Sequence, residues 1–226
     1  MVEESIEPIP AATVVLARDT EQGIEVLMLR RSSRGAFGGM WVFPGGQVEN
    51  EDLNPDDPGD EIGAARRAAV REAQEEADVL VDGDALVTFS HWLPPAGAPK
   101  RFSTWFFLAP APDAVEVAVD NQEIHDHEWL RPADAIARRD AGEIELAPPT
   151  WVTLWRLSGV DTVEDAVRLA RDSEPQRFET HIYFPDGVPV AVWHDDVAYD
   201  SGDLHHPGPR HRLYMLDDGW RYEASG

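Results

Sequence analysis

The chain has 226 residues, 42% hydrophobic and 9% aromatic, which suits one sizeable domain with a packed core and argues against a disordered chain. Its 19 basic residues face 43 acidic ones, for a net charge of −24, and Lys100 is the only lysine; such a field repels polyanions and disfavours nucleic acid and anionic membranes as partners. The lack of cysteine excludes disulfides, thiolate catalysis and cysteine zinc sites, while the acidic opening MVEESIEPIP and the lack of an apolar run near 18 residues lead us to expect a soluble, cytoplasmic protein.

Residues Ala11–Arg18 and Ile24–Leu29 are predicted strands around a Thr-Glu-Gln-Gly turn. A Gly-rich, basic stretch follows, with a short apolar segment (Met40–Phe43) that is read as a strand ending at Phe43-Pro44-Gly45-Gly46. Asn50–Asp60 is acidic and holds Pro55 and Pro58, hence a loop. Glu61–Ala77 is dominated by Ala, Arg and Glu with no Gly or Pro after Gly63, hence a helix. Strands are expected at Leu80–Phe89 and Arg101–Leu108, and helices at Pro132–Arg139, Thr150–Leu157 and Val163–Asp172. The tail returns to strand patterns at His181–Phe184, Val188–Trp193 and Arg212–Leu216. Without a strict βαβ rhythm, the mixture points to an α+β fold, layered as an α/β/α sandwich.

The informative stretch is Arg71-Glu72-Ala73-Gln74-Glu75-Glu76. On a helix, positions i, i+3 and i+4 share a face, so Glu72, Glu75 and Glu76 converge and repel unless a cation sits among them. Oxygen-only ligands favour Mg²⁺ or Mn²⁺ over zinc. Arg71 reaches Glu75 at i+4. Gly45 and Gly46 allow the backbone to expose a carbonyl to a metal or amides to a phosphate.

A strand ending in FPGG followed by a loop and REAQEE resembles the Nudix hydrolases, whose signature is G-x5-E-x7-R-E-U-x-E-E-x-G-U. Gly46 opens the box, and Arg71, Glu72, Glu75, Glu76 and Val79 match its second half. Asp78 stands where the family has Gly. Arg71 lies 71 − 46 = 25 residues after Gly46 instead of 14, so 11 residues are inserted. The first box acid is therefore ambiguous: counting forward it falls on Asp52, counting back on Gly63. The resemblance implies an α/β/α sandwich and hydrolysis of a nucleoside diphosphate linked to a group X, with Glu72, Glu75, Glu76 and the Gly45 carbonyl as metal ligands. A later glutamate about six residues before a Trp often serves as ligand or base; Glu123, ahead of Trp129, is the candidate, with Glu128 its competitor. The catalytic set so expected is Glu123, Glu76 and Arg71.

Arg30, Arg31 and Arg34, before FPGG, are candidates to grip phosphates together with Gly46, Arg30 being the best placed. VLMLRRSSRGAFGGMWVFPGG matches the upstream pattern of coenzyme A diphosphatases at Leu27, Arg30, Gly39 and FPGG, but misses at Val26, Met28, Arg31 and Gly35. The insertion and Arg101–Phe107 look like the acyl-coenzyme A diphosphatase branch, which implies CoA or acyl-CoA as substrate; ADP-ribose, NADH and dinucleoside polyphosphates are the alternatives. Domains are expected at 1–148 and at 149–226, the latter an extension able to cover the cleft or form a homodimer interface. Its His181, His194, His205, His206 and His211 form no ligand spacing and are read as solvated loop residues. A small-molecule nucleotide is the expected partner. A nucleotide sensor that binds without cleaving is the competing class.

Overall fold

The structure, a computed structural model, describes residues 7–32, 37–98 and 100–225. Strands β1 (Ile9–Thr20) and β2 (Gly23–Arg31) form a hairpin paired through Ala17–Thr20. β1 is central, and its alternation feeds two cores: Ala12, Val14 and Leu16 on one face, Val15 and Ala17 on the other. Beyond Ala17 the hairpin forks. The outer edge of β1 is taken by β6 (Phe102–Pro110), in parallel, and that of β2 by β7 (Ile124–Leu130). The gap between them is filled by β3 (Trp41–Val42), paired to β2, and β4 (Gly45–Gln47), paired to β1. β5 (Val87–Leu93) and β8 (Gln176–Glu179) complete a mixed sheet beyond β6.

Helix α1 (Glu61–Ala77) covers one face with an alanine stripe, Ala65, Ala68, Ala69, Ala73 and Ala77. Such small side chains let the helix lie close to the sheet. The Asp60 carboxylate caps its start by accepting from the Gly63 N–H at 2.8 Å. Asp78 ends it at φ 55°, ψ 33°, so it takes up the left-handed position where the box has glycine. The other face carries α2 (Pro132–Asp140), α3 (Pro148–Leu157) and α4 (Val163–Asp172), giving the expected α/β/α sandwich.

The chain after α4 shares that second core. β8 joins the main sheet, and its Phe178 stacks on Trp92 at 3.8 Å. A four-stranded antiparallel sheet of β9 (His181–Tyr183), β10 (Val190–Val192), β11 (Arg210–Leu216) and β12 (Gly219–Ser225) adds Ala191, Trp193, Leu213 and Tyr222 to the same cluster. It is clamped by Asp196 and Arg212, an ion pair with both side chains 0% exposed. The Asp196 carboxylate also accepts from the Ala198 and His211 N–H groups. His211 is itself buried, with Nδ1 against the His194 carbonyl, and His181 stacks on Tyr199; these two are packed residues and not the solvated loop histidines expected. Among the described residues no helix is long and apolar enough to cross a membrane.

Two strand expectations shift. The strand expected at Leu80–Phe89 begins only at Val87, because Asp82 accepts from the Asp84 N–H and turns the chain at Gly83–Ala85. Val79 and Val81 are buried while Leu80 is 78% exposed, which mimics strand alternation without a paired neighbour. The glycines of FPGG also do not end a strand: Pro44 separates β3 from β4, and the glycines are the strand.

Candidate active site

The fork between β1 and β2 brings backbone and helix into contact. Gly45 and Gly46 pair with Thr13 and Ala12 of β1. A Cβ on Gly45 would lie 2.4 Å from the Ala12 carbonyl oxygen, and one on Gly46 2.2 Å from Glu72 Oε1. Glycine at 45 lets the strand run this close to the β1 backbone, and glycine at 46 leaves room for the Glu72 carboxylate where it stands. The Gly45 N–H donates to Glu76 Oε2 at 2.9 Å.

Glu76 is 5% exposed. Burial pushes its carboxyl from the ordinary 4.5 up to about 8, against the pull of the Gly45 N–H and Arg31. Glu72 is raised as well, by burial first, with Arg71 opposing. Glu75 is exposed at the cleft edge. Arg71 gathers this side: it donates to Glu72 and Glu75, each at 2.9 Å, to Asp52 at 3.0 Å and to the Gln47 carbonyl at 2.9 Å. Burial works against the Arg71 charge, but Asp52 and Glu72 hold its pKa above the usual arginine value.

Asp52, the position reached by counting forward, lies against Arg71. Its carboxylate is buried, takes two hydrogen bonds from Arg71 and accepts from the Glu49 N–H at 2.9 Å. Gly63 instead opens α1, with the Asp60 cap so close that a Cβ would meet it at 1.8 Å. With Asp52 counted as the first box acid, the extra residues fall after it, in the loop and the first turns of α1.

Glu123 comes from the loop before β7 and enters the same cleft. Its backbone is fixed by Asp120, whose carboxylate accepts from the N–H groups of Gln122, Glu123 and Ile124. Burial acts to raise the Asp120 pKa, and those three N–H groups bring it below the ordinary value. Glu128 is turned to Arg138 at 2.7 Å and does not line the cleft. Arg31 bridges Glu76 at 3.2 Å and Glu123 at 2.5 Å. Arg30 is exposed and not part of the cleft wall, and Arg34 lies outside the described residues.

The cleft has a volume of about 890 Å³. Its lining also includes an aromatic wall of Phe43, Trp92, Phe102 and Phe106, together with Pro149 and Thr150 of α3. That wall and Asp120 were not read from the sequence. The wall depends on strands meeting across the sheet; Asp120 had a local signal, an Asp three residues before the candidate Glu, the spacing of a capped turn.

Among the described residues no three acidic or histidine side chains already stand in a metal-coordinating arrangement. The carboxylates are turned to Arg31 and Arg71 instead. The donors nevertheless suit a hard cation: all are oxygens, three come from one helix face, and Glu76 is a buried carboxyl whose ionisation burial opposes.

The NUDIX domain family matches residues 7–150. A Caenorhabditis elegans protein carrying the name nudix hydrolase 7 is 30% identical over 186 residues, covering 66% of this chain and 60% of the relative. An acyl-coenzyme A diphosphatase of Gallus gallus is 34% identical over 93 residues, 39% of this chain and 25% of the relative. The chain thus spans less than two thirds of the length of these curated relatives. A NUDIX hydrolase structure from Alicyclobacillus acidocaldarius aligns with a TM-score of 0.63 at 24% identity, over 72% of this chain and 96% of that one, and shares the fold.

Proposed function

The chain belongs to the NUDIX family, and we propose that it hydrolyses the diphosphate bond of a nucleoside diphosphate linked to a second group, with Mg²⁺ or Mn²⁺ as cofactor. The observation that carries this reading is the meeting of Gly45, Glu72, Glu76, Glu123 and Arg31 in one cleft. Glu72, Glu75, Glu76 and the Gly45 carbonyl would hold the cation. When bound, a divalent cation neutralises phosphate oxygens and acidifies water.

The chain's own residues do the rest. Glu123, on a loop fixed by Asp120, accepts the proton of the attacking water. The water oxygen bonds to phosphorus, the bridging P–O bond breaks, and two monophosphates leave. Arg71 touches no reacting atom; it positions Glu72 and Glu75. Arg31 faces the diphosphate, and its fork can grip two phosphate oxygens.

For the substrate, CoA or acyl-CoA is the best reading, supported by the similarity to the Gallus gallus enzyme and by an aromatic wall that suits an adenine or acyl group. The products would be 3′,5′-ADP and 4′-phosphopantetheine or its acylated form. The test is incubation with CoA, acetyl-CoA, ADP-ribose, NADH and diadenosine polyphosphates, each with Mg²⁺ or Mn²⁺, with chromatography of the products. Cleavage of CoA by wild type and not by Glu76→Gln supports the reading. Cleavage of another compound replaces the substrate, and tight binding without cleavage of any replaces the enzyme by a nucleotide sensor.

A further inference from the structure

We infer that Arg31 is the internal counter-ion that the divalent cation must displace, holding Glu76 and Glu123 in the cation-free protein and turning to the substrate's diphosphate once the cation enters. This rests on the metal-dependent reading above. The two arginines of the site differ in their partners. Arg71 is anchored by the buried Asp52 and by the Gln47 carbonyl, neither of which is needed as a ligand. Among the described residues Arg31 has only Glu76 and Glu123 as side-chain partners.

Its placement is built into the strand. The β2–β7 register slips between Arg30 and Arg31. Such a bulge re-aims side chains, and here Arg30 stays outside while Arg31 enters the fork. Ser32 then donates to the Glu123 carbonyl at 2.6 Å, tying the two loops together. Glu76 has its other oxygen on the Gly45 N–H, so the oxygen on Arg31 is the one a cation can claim. A guanidinium and a divalent cation on the same carboxylates repel each other. The Arg31 grip on Glu76 and the Arg71 grip on Glu72 and Glu75 accompany the lack of a ready-made three-carboxylate site among the described residues. Metal and diphosphate are then coupled: each draws Arg31 the same way, so each favours the other.

The experiment is Mn²⁺ titration of the EDTA-stripped, dialysed full chain, read by the electron paramagnetic resonance signal of free Mn²⁺. Wild type, Arg31→Met, Arg31→Lys and Arg30→Met are compared, the last making the same change in net charge outside the cleft. Arg31→Met is expected to tighten Mn²⁺ binding about tenfold over wild type and Arg30→Met, the weight of roughly one charge-assisted hydrogen bond. Arg31→Lys, with a single ammonium that cannot span both carboxylates, is expected to lie between, and it carries the test if the Met variant does not fold. If wild type binds Mn²⁺ and neither Arg31 variant binds it more tightly than Arg30→Met does, the displacement is wrong while the metal-dependent reading stands. If no variant binds Mn²⁺, both fall together.

Discussion

Glu76 carries a buried carboxyl whose protonation can be set by pH, and its effect on stability has a definite sign. Burial holds it at about 8 in the folded chain against 4.5 ordinarily. Below pH 4.5 both folded and unfolded chains keep the proton and Glu76 contributes no pH dependence. Between pH 4.5 and 8 the unfolded chain releases it and the folded chain does not, so stability falls by about 1.4 kcal/mol per pH step. Across that window the loss is on the order of 3–5 kcal/mol, which at roughly 2–4 °C per kcal/mol lowers the Tm by about 10 °C. Glu76→Gln is neutral throughout and keeps an oxygen for the Gly45 N–H. The assay is thermal unfolding of both proteins in EDTA at pH 5 and pH 8, since the difference between them cancels the many other carboxylates. Wild type should lose about 10 °C more than the variant. Saturating Mg²⁺ or Mn²⁺ should restore wild type at pH 8 and leave the variant unchanged. Parallel losses in the two proteins would refute the reasoning, because Glu76 would then be ionised at no cost.

Three further substitutions test other parts of the arrangement. Asp52→Ala leaves Arg71 with Glu72 and Glu75 but without its buried partner. It should cost about 2 kcal/mol, less than a wholly broken buried pair, visible as a Tm lowered by about 4–8 °C with a fall in kcat. Gly46→Ala puts a methyl 2.2 Å from Glu72 Oε1, so activity should drop on the order of a hundredfold, measured as kcat/KM; an unchanged value would mean that Glu72 is not held there in the active protein. Asp196→Ala strands Arg212 with a fully buried charge and should cost about 3–5 kcal/mol in urea unfolding, with KM unaltered at temperatures where the variant is folded.

What the sequence made legible was local. Glu61–Ala77 is the observed helix to the residue, because Ala, Glu and Arg propensity, an Asp cap and the absence of later Gly or Pro all act within a few turns. The glutamate face followed from helical spacing alone. β4 was hidden because glycine is a poor strand former; its pairing is imposed by β1, more than thirty residues earlier in the chain. β7 was hidden too, since IHDHEWL buries mainly its ends and alternates too weakly to announce a strand. Counting could not place the inserted residues, since a loop leaves no periodic trace. Of the two counted positions, Asp52 is the one whose carboxylate meets Arg71.

On the proposed function, the same site bears on how so acidic a chain would take an anionic substrate. With Glu76 ionised, the cleft-lining Glu49, Glu72, Glu75, Glu76, Asp120 and Glu123 bring six negative charges, and Arg31, Arg71 and Lys100 bring three positive ones, a net of −3. A diphosphate entering that cleft meets repulsion over distances shorter than the Debye length of about 8 Å, where salt screens little. On the proposed reading, a divalent cation would remove most of the deficit and, by taking Glu76 from Arg31, would free a guanidinium fork for the phosphates. On that reading, the cation and the diphosphate each favour the entry of the other. Arg31, which offsets only part of that negative charge, is the residue that this exchange would turn to the phosphates.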